Sequence, residues 1–126
     1  MTRILVVDDE PQVQQTLAAF LEDEGFETLV ADSVVKAIEV LETERIHLAI
    51  VDIMMPGVDG LEAVKAISRL KPKVPVVAMS GRMLQPPCEE FDGMRVLATR
   101  LGADYCLGKS FTQHDVRAAV QACMAG

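Results

Sequence analysis

Asp8, Asp9, Asp52, Ser80 and Lys109 are the residues of this chain whose types and spacing could do chemistry. Asp8 and Asp9 follow the apolar run Ile4-Leu5-Val6-Val7, and Asp52 ends the apolar run Leu48 to Val51. Ser80 follows a third run, Val74 to Met79, and Lys109 lies just beyond a fourth, Tyr105 to Leu107. Three converging carboxylates would repel one another strongly unless a cation neutralised them. A hard divalent ion that takes oxygen ligands and keeps several waters, Mg²⁺, answers that demand. Lys109 adds a fixed positive charge and Ser80 a hydroxyl donor. An anionic oxygen group could then be held among metal, ammonium and hydroxyl, the arrangement phosphoryl transfer requires. A central carboxylate can itself act as the nucleophile and become an acyl phosphate.

For these residues to meet, the elements before them must end on one side of the molecule. The apolar runs Ile4–Val7, Thr28–Ala31, Leu48–Val51, Val74–Met79 and Tyr105–Leu107 read as five strands. Between them lie amphipathic stretches. Pro11 to Glu24 places Val13, Leu17, Phe20 and Leu21 on one helical face and is closed by Gly25. Ser33 suits the cap of a helix to about Glu44 with Val34, Ile38 and Leu41 inward. Gly60 to Leu70 carries Leu61, Val64 and Ile67 on its apolar side and stops at Lys71-Pro72. A short helix is expected from about Gly93-Met94 to Leu101. Thr112-x-x-Asp115 reads as a capping box opening a last helix with Val116, Val120 and Cys123 inward.

Five rounds of strand then helix, with near-continuous apolar strands, predict a parallel sheet covered on both faces. The expected fold is an α/β, doubly wound, five-stranded parallel sheet in a three-layer sandwich. Right-handed crossovers place the carboxyl end of every strand on one rim, with all five chemically competent residues.

Bulk properties remove other classes. The chain has 126 residues, half of them hydrophobic, and no tryptophan, so a single domain with an aliphatic core is expected over 1–126. Residues 1–79 carry 14 acids against 7 bases, while 80–126 carry 5 of each, so the net charge of −7 lies in the first part. No basic stripe suits a nucleic-acid backbone, and direct nucleic-acid binding is not expected. No apolar run reaches the ~20 residues of a membrane span, and no signal-peptide pattern opens the chain. A cytoplasmic protein without membrane insertion is expected. Cys88, Cys106 and Cys123 lack metal-ligand spacing and read as reduced, mostly buried thiols. His47 and His114 have no matching ligands nearby and are expected at the surface.

The motifs Val6-Val7-Asp8-Asp9-Glu10-Pro11, Asp52-Ile53-Met54-Met55-Pro56-Gly57-Val58-Asp59-Gly60, Met79-Ser80-Gly81 and Gly102-Ala103-Asp104…Lys109-Ser110-Phe111 occur in order on the expected strands. Together they resemble the receiver domain of two-component response regulators over essentially the whole chain, with a flavodoxin-like, CheY-like fold. The resemblance implies that Asp52 accepts a phosphoryl group from a sensor histidine kinase or histidine phosphotransfer protein. It implies that Asp8, Asp9, Asp52 and the backbone carbonyl of Met54 hold Mg²⁺, that Lys109 contacts a phosphoryl oxygen, and that Ser80 reports its arrival. Such a domain is a phosphoacceptor that assists its own phosphorylation and dephosphorylation, not a turnover enzyme, and it switches partner binding by biasing two states.

Three features depart from the family pattern. Ser110 stands where a proline with a cis bond is usual; the retained spacing of Lys109 and Phe111 favours cis despite a cost of ~2.5–4 kcal/mol. Cys106 occupies the place of the usual switch aromatic and Tyr105 has the opposite strand parity, which favours a switch through Ser80 without an aromatic. The segment from Arg82 to Gly93, with Pro86-Pro87, is longer than usual and reads as a surface insertion, with tuning of partner choice as the alternative.

The same residues admit other readings. Asp8-Asp9-Glu10 could only complement a helix dipole, Asp52 could be a turn former, and Ser80 and Lys109 taken singly are ordinary rim residues. A flavodoxin-like electron carrier would want a glycine- and hydroxyl-rich loop where Asp8-Asp9-Glu10 stands. A phosphatase of the haloacid dehalogenase kind expects two aspartates one residue apart after the first strand. A receiver-like module acting without phosphorylation is disfavoured because all five positions are filled. The end at Gly126 favours a stand-alone regulator or phosphorelay shuttle over a piece of a transcription factor or hybrid kinase.

Overall fold

A computed structural model describes residues 2–53, 60–80, 102–108 and 111–124, with the backbone alone for Gly60, Leu61 and Ser80. The described elements are β1 (Arg3–Val7), α1 (Pro11–Asp23), β2 (Glu27–Ala31), α2 (Val34–Thr43), β3 (Leu48–Asp52), α3 (Gly60–Leu70), β4 (Val76–Ser80), β5 (Tyr105–Gly108) and α4 (Gln113–Met124). The five strands form one sheet in the order β2-β1-β3-β4-β5, every pairing parallel. Winding runs outward in both directions from the β1/β3 boundary, so the crevice above that boundary is the natural place for a ligand.

Strand alternation sorts the core into two layers. Ile4, Val6, Leu48, Ile50, Val77, Met79 and Leu107 face α1 and α4, where Leu17, Leu21, Val116, Ala119 and Val120 cover them. Leu5, Val7, Ala49, Val51, Val76 and Ala78 face the other way, against Ala37 and Leu41 of α2 and Ala63, Val64 and Ile67 of α3. Strands buried on both faces cannot alternate apolar with polar, which is why their sequences read as unbroken apolar runs.

The helix ends follow the local chemistry. Phe26 N–H donates to Leu21 O and Gly25 N–H to Glu22 O, while Gly25 takes φ +90°, a left-handed close of α1 that glycine permits. Ser33 accepts from Lys36 N–H at 3.1 Å. Thr112 and Asp115 cap α4 reciprocally: Asp115 N–H donates to Thr112 Oγ1 at 3.1 Å and Thr112 N–H to Asp115 Oδ2 at 2.9 Å.

Some expectations need correcting. On α2 the buried face is Ala37 and Leu41, and Ile38 is only half-buried, because the small Ala37 seats the helix against the sheet. β4 starts at Val76 and not at Val74: Pro75 has no N–H to pair, although its carbonyl accepts from Ala49 N–H at 3.0 Å. His47 is half-buried, and its Nδ1 accepts from Arg3 N–H at 3.0 Å, whereas His114 is exposed. Cys106 and Cys123 are half-buried and form no disulfide, while Cys88 lies outside the described residues. Burial, with help from the negative charge of Asp104, pushes the Cys123 thiol up to about 11. Among the described residues no helix is long and apolar enough to cross a membrane.

Candidate functional site

Asp8 and Asp52 are the buried charged or polar residues of the described core, at 0% and 1% exposure. Burying a carboxylate is costly unless something specific repays it. Val7 pairs with Val51 across β1 and β3, so Asp8 and Asp52 each stand one residue beyond that rung on adjacent strands at the switch point. Asp9 and Glu10 are exposed beside them. One carboxylate oxygen from each of Asp8, Asp9, Glu10 and Asp52 lies within 4.8 Å of all the others. At an effective dielectric of about 20, each such pair would repel by about 3 kcal/mol. An all-oxygen donor set of crowded negative charge suits a hard divalent cation, and the residues present therefore fit one.

The backbone around the acids is closely held. Asp8 N–H donates to Ala31 O at 3.1 Å, anchoring the end of β1 to β2. Glu10 N–H donates to Asp8 Oδ1 at 2.8 Å, closing a turn over Asp9. Gln14 Nε2 donates to Asp8 O, and Gln14 N–H donates to Glu10 O at 3.1 Å. Past Asp52, Ile53 N–H donates to Met79 O at 2.9 Å, which ties the chain leaving β3 to β4.

Asp8, Asp9 and Asp52 thus meet as the sequence predicts. Glu10 joins them, and its signal was already present in the run of three acids. Asp52 pairs with Met79 and Ser80 with Gly108, so Ser80 ends β4 on the same rim. The Ser80 side chain, Met54, Lys109 and the Lys109-Ser110 bond lie outside the described residues, as do the segment 82–93 and the helix expected near Met94. The parity of β5 is as expected. Tyr105 packs toward α1 and α4 with Phe20 and Phe111, and Cys106 against the α2 and α3 layer. Phe20 and Phe111 meet edge to face with centroids 6.1 Å apart.

A doubly wound sheet with buried carboxylates at its switch point defines a class of small α/β signalling and ligand-binding domains, and comparison with known proteins narrows it. The family model for the response regulator receiver domain matches residues 4–121. The alkaline phosphatase synthesis transcriptional regulatory protein PhoP of Bacillus subtilis (strain 168) is 36% identical over 122 residues, 97% of this chain and 48% of the relative. The transcriptional regulatory protein CpxR of Escherichia coli (strain K12) is 35% identical over 98% of this chain and 50% of its own length. A crystal structure of a response regulator receiver domain protein from Clostridium thermocellum superposes with a TM-score of 0.84 at 28% identity, covering 99% of this chain and 95% of that one. The chain belongs to the response regulator receiver family and is a receiver domain of two-component signalling, a phosphoacceptor class. It spans about half the length of the curated relatives it matches.

Proposed function

We propose that Asp52 is the phosphoryl acceptor of this receiver domain. The observation that carries the reading is a carboxylate buried to 1% exposure at the end of β3, crowded within 4.8 Å by the carboxylates of Asp8, Asp9 and Glu10. Asp8 is buried as well, but Asp52 is the carboxylate that ends β3, the position that matches the acceptor in the receiver family's motif. An Asp52 oxygen attacks phosphorus, the bond from phosphorus to the donor's imidazole nitrogen breaks, and that electron pair leaves with the donor histidine. The product is an acyl phosphate on Asp52, and attack by water on phosphorus returns the free carboxylate.

Asp8, Asp9 and Asp52, with the Met54 carbonyl, would hold Mg²⁺. When bound, the ion supplies positive charge that offsets the clustered carboxylates and the incoming phosphoryl oxygens. Asp8 and Asp9 orient the acceptor and keep the pocket anionic until it is charged. Lys109 would meet a phosphoryl oxygen and Ser80 would donate to another, coupling the modification to the α3–β4–β5 side of the molecule. The donor is a sensor histidine kinase or a histidine phosphotransfer protein in the cytoplasm. The acidic charge of the chain gives no support to direct nucleic-acid contact, so any such output would belong to a partner or to another domain.

Incubation with a small acyl phosphate and Mg²⁺, followed by intact mass measurement, tests this. One added phosphoryl group is expected, lost on Asp52→Asn and on chelation of the metal. An unmodified protein, or one modified equally well after Asp52→Asn, would overturn the assignment.

A further inference from the structure

We propose that Gln14 is a positioning residue for the acidic rim: it holds the Asp8-Asp9-Glu10 turn in the shape that receives a divalent cation. The inference rests on the metal-binding reading above. Gln14 lies one turn into α1, where its side chain holds the start of the turn and its backbone makes the helix's ordinary i→i−4 bond to the end of it. Its side-chain amide donates to Asp8 O, and its backbone N–H donates to Glu10 O at 3.1 Å. Between those points Glu10 N–H is tied to Asp8 Oδ1 at 2.8 Å. The peptide joining Asp8 to Asp9 therefore cannot rotate without breaking the Gln14 side-chain bond, and its rotation is what would swing Asp9 relative to the buried Asp8 carboxylate.

The side chain is not there to fill the core. Gln14 is half-buried and borders a cavity of about 320 Å³ shared with Asp9, Asp32 and Lys36. Its type also suits the task. Carboxylates that repel one another tend to splay, so an approach within 4.8 Å needs a backbone restraint. A neutral amide supplies that restraint as a donor without adding to or cancelling the charge the cation must see. Groups that orient metal ligands without touching the metal commonly control affinity, because a ligand set already in place has less order to lose on binding.

The test compares the wild-type chain with Gln14→Met, which keeps length and helix propensity but removes the donor, and with Gln14→Ala as a second variant. Mn²⁺ affinity is read from the free-ion paramagnetic resonance signal, Mg²⁺ by competition, and the Glu10 amide by hydrogen exchange in the metal-free protein. Loss of one neutral hydrogen bond should weaken metal binding roughly three- to tenfold. It should also speed exchange at Glu10, with the metal-free melting temperature almost unchanged. Equal affinity in wild type and both variants would overturn the proposal, as would unchanged exchange at Glu10. So would weakened binding accompanied by a large fall in metal-free melting temperature, because Gln14 would then be a general structural brace. Wild-type protein that binds neither ion would overturn the metal reading itself, a result separable from equal binding by all three proteins.

Discussion

The two ends of the parallel sheet handle charge in opposite ways. At the amino-terminal end, Arg3 lies between Glu27 and Glu44, at 3.2 and 3.0 Å. Beside it, His47 N–H donates to Arg3 O at 2.9 Å while His47 Nδ1 accepts from Arg3 N–H. Next along that end, the Asp104 carboxylate accepts from Val76 N–H at 2.9 Å, and Asp104 N–H donates to Val76 O at 2.7 Å. Opposite charges and complementary dipoles are matched there. At the carboxyl-terminal end, four carboxylates are gathered with like facing like, two of them buried. The matched end holds strands in register, whereas the carboxyl-terminal end gathers like charge that a cation can offset. A cluster of like charges, two of them buried, is therefore a better guide to function than the number of charges.

The largest effect of a single change should fall at the matched end and owe nothing to charge. Gly102 has φ +119°, and an added Cβ would overlap the Ser68 side chain of α3. Gly102→Ala is expected to destabilise by about 3 kcal/mol, combining left-handed strain with overpacking. Urea unfolding measures it, and a loss below about 1 kcal/mol would show that β5 has room to shift.

At the crowded end the sign should reverse. Asp52→Asn removes one of four mutually repelling carboxylates and should raise metal-free stability by on the order of 2 kcal/mol. The same variant should lose most of the stabilisation that Mg²⁺ gives the wild-type chain, which would reach about 2.7 kcal/mol at a hundred times the dissociation constant. An Asp52→Asn protein less stable than wild type without metal would contradict net repulsion among the clustered acids.

The smallest effect concerns a matched pair between helices. Glu24 receives both Arg117 Nε at 2.8 Å and an Arg117 terminal nitrogen at 2.9 Å, with Gln113 Nε2 at 2.9 Å. Its hydrogen bonds from Arg117, then Gln113, hold the Glu24 carboxyl below the usual carboxylate range. A lowered folded value means the contribution is present above the ordinary carboxylate range and is lost as pH falls through the depressed value. Arg117→Ala should therefore cost a little stability at neutral pH and nothing in strong acid. A difference that persists unchanged through the acid limb would show that Arg117 acts by packing alone.

Much of this was legible in the residue order. Strand and helix runs, the Pro11 start of α1, the Ser33 cap and the Thr112–Asp115 capping box are set by contacts within a few residues. So is the appearance of Asp8 and Asp52 just where apolar runs stop. Less legible were properties that depend on distant neighbours. In sequence Asp8 and Asp9 are equivalent acids, yet one is at 0% exposure and the other is exposed. Ile38 outranks Ala37 in hydrophobicity, but the space between α2 and the sheet selects the smaller residue. His47 looked like a surface residue because its partner, the Arg3 N–H, is 44 positions away.

The sequence by itself determined the alternation of elements, the parallel sheet and the acids and serine at the ends of β1, β3 and β4. Periodicity, capping and turn chemistry are local and survive without a fold. Only the tertiary structure decided that β1 and β3 lie side by side. That adjacency brings Asp8 and Asp52 into the crevice and sets Asp9 and Glu10 close to Asp52. Such placement depends on which strands neighbour one another, and neighbourhood belongs to the packed chain as a whole.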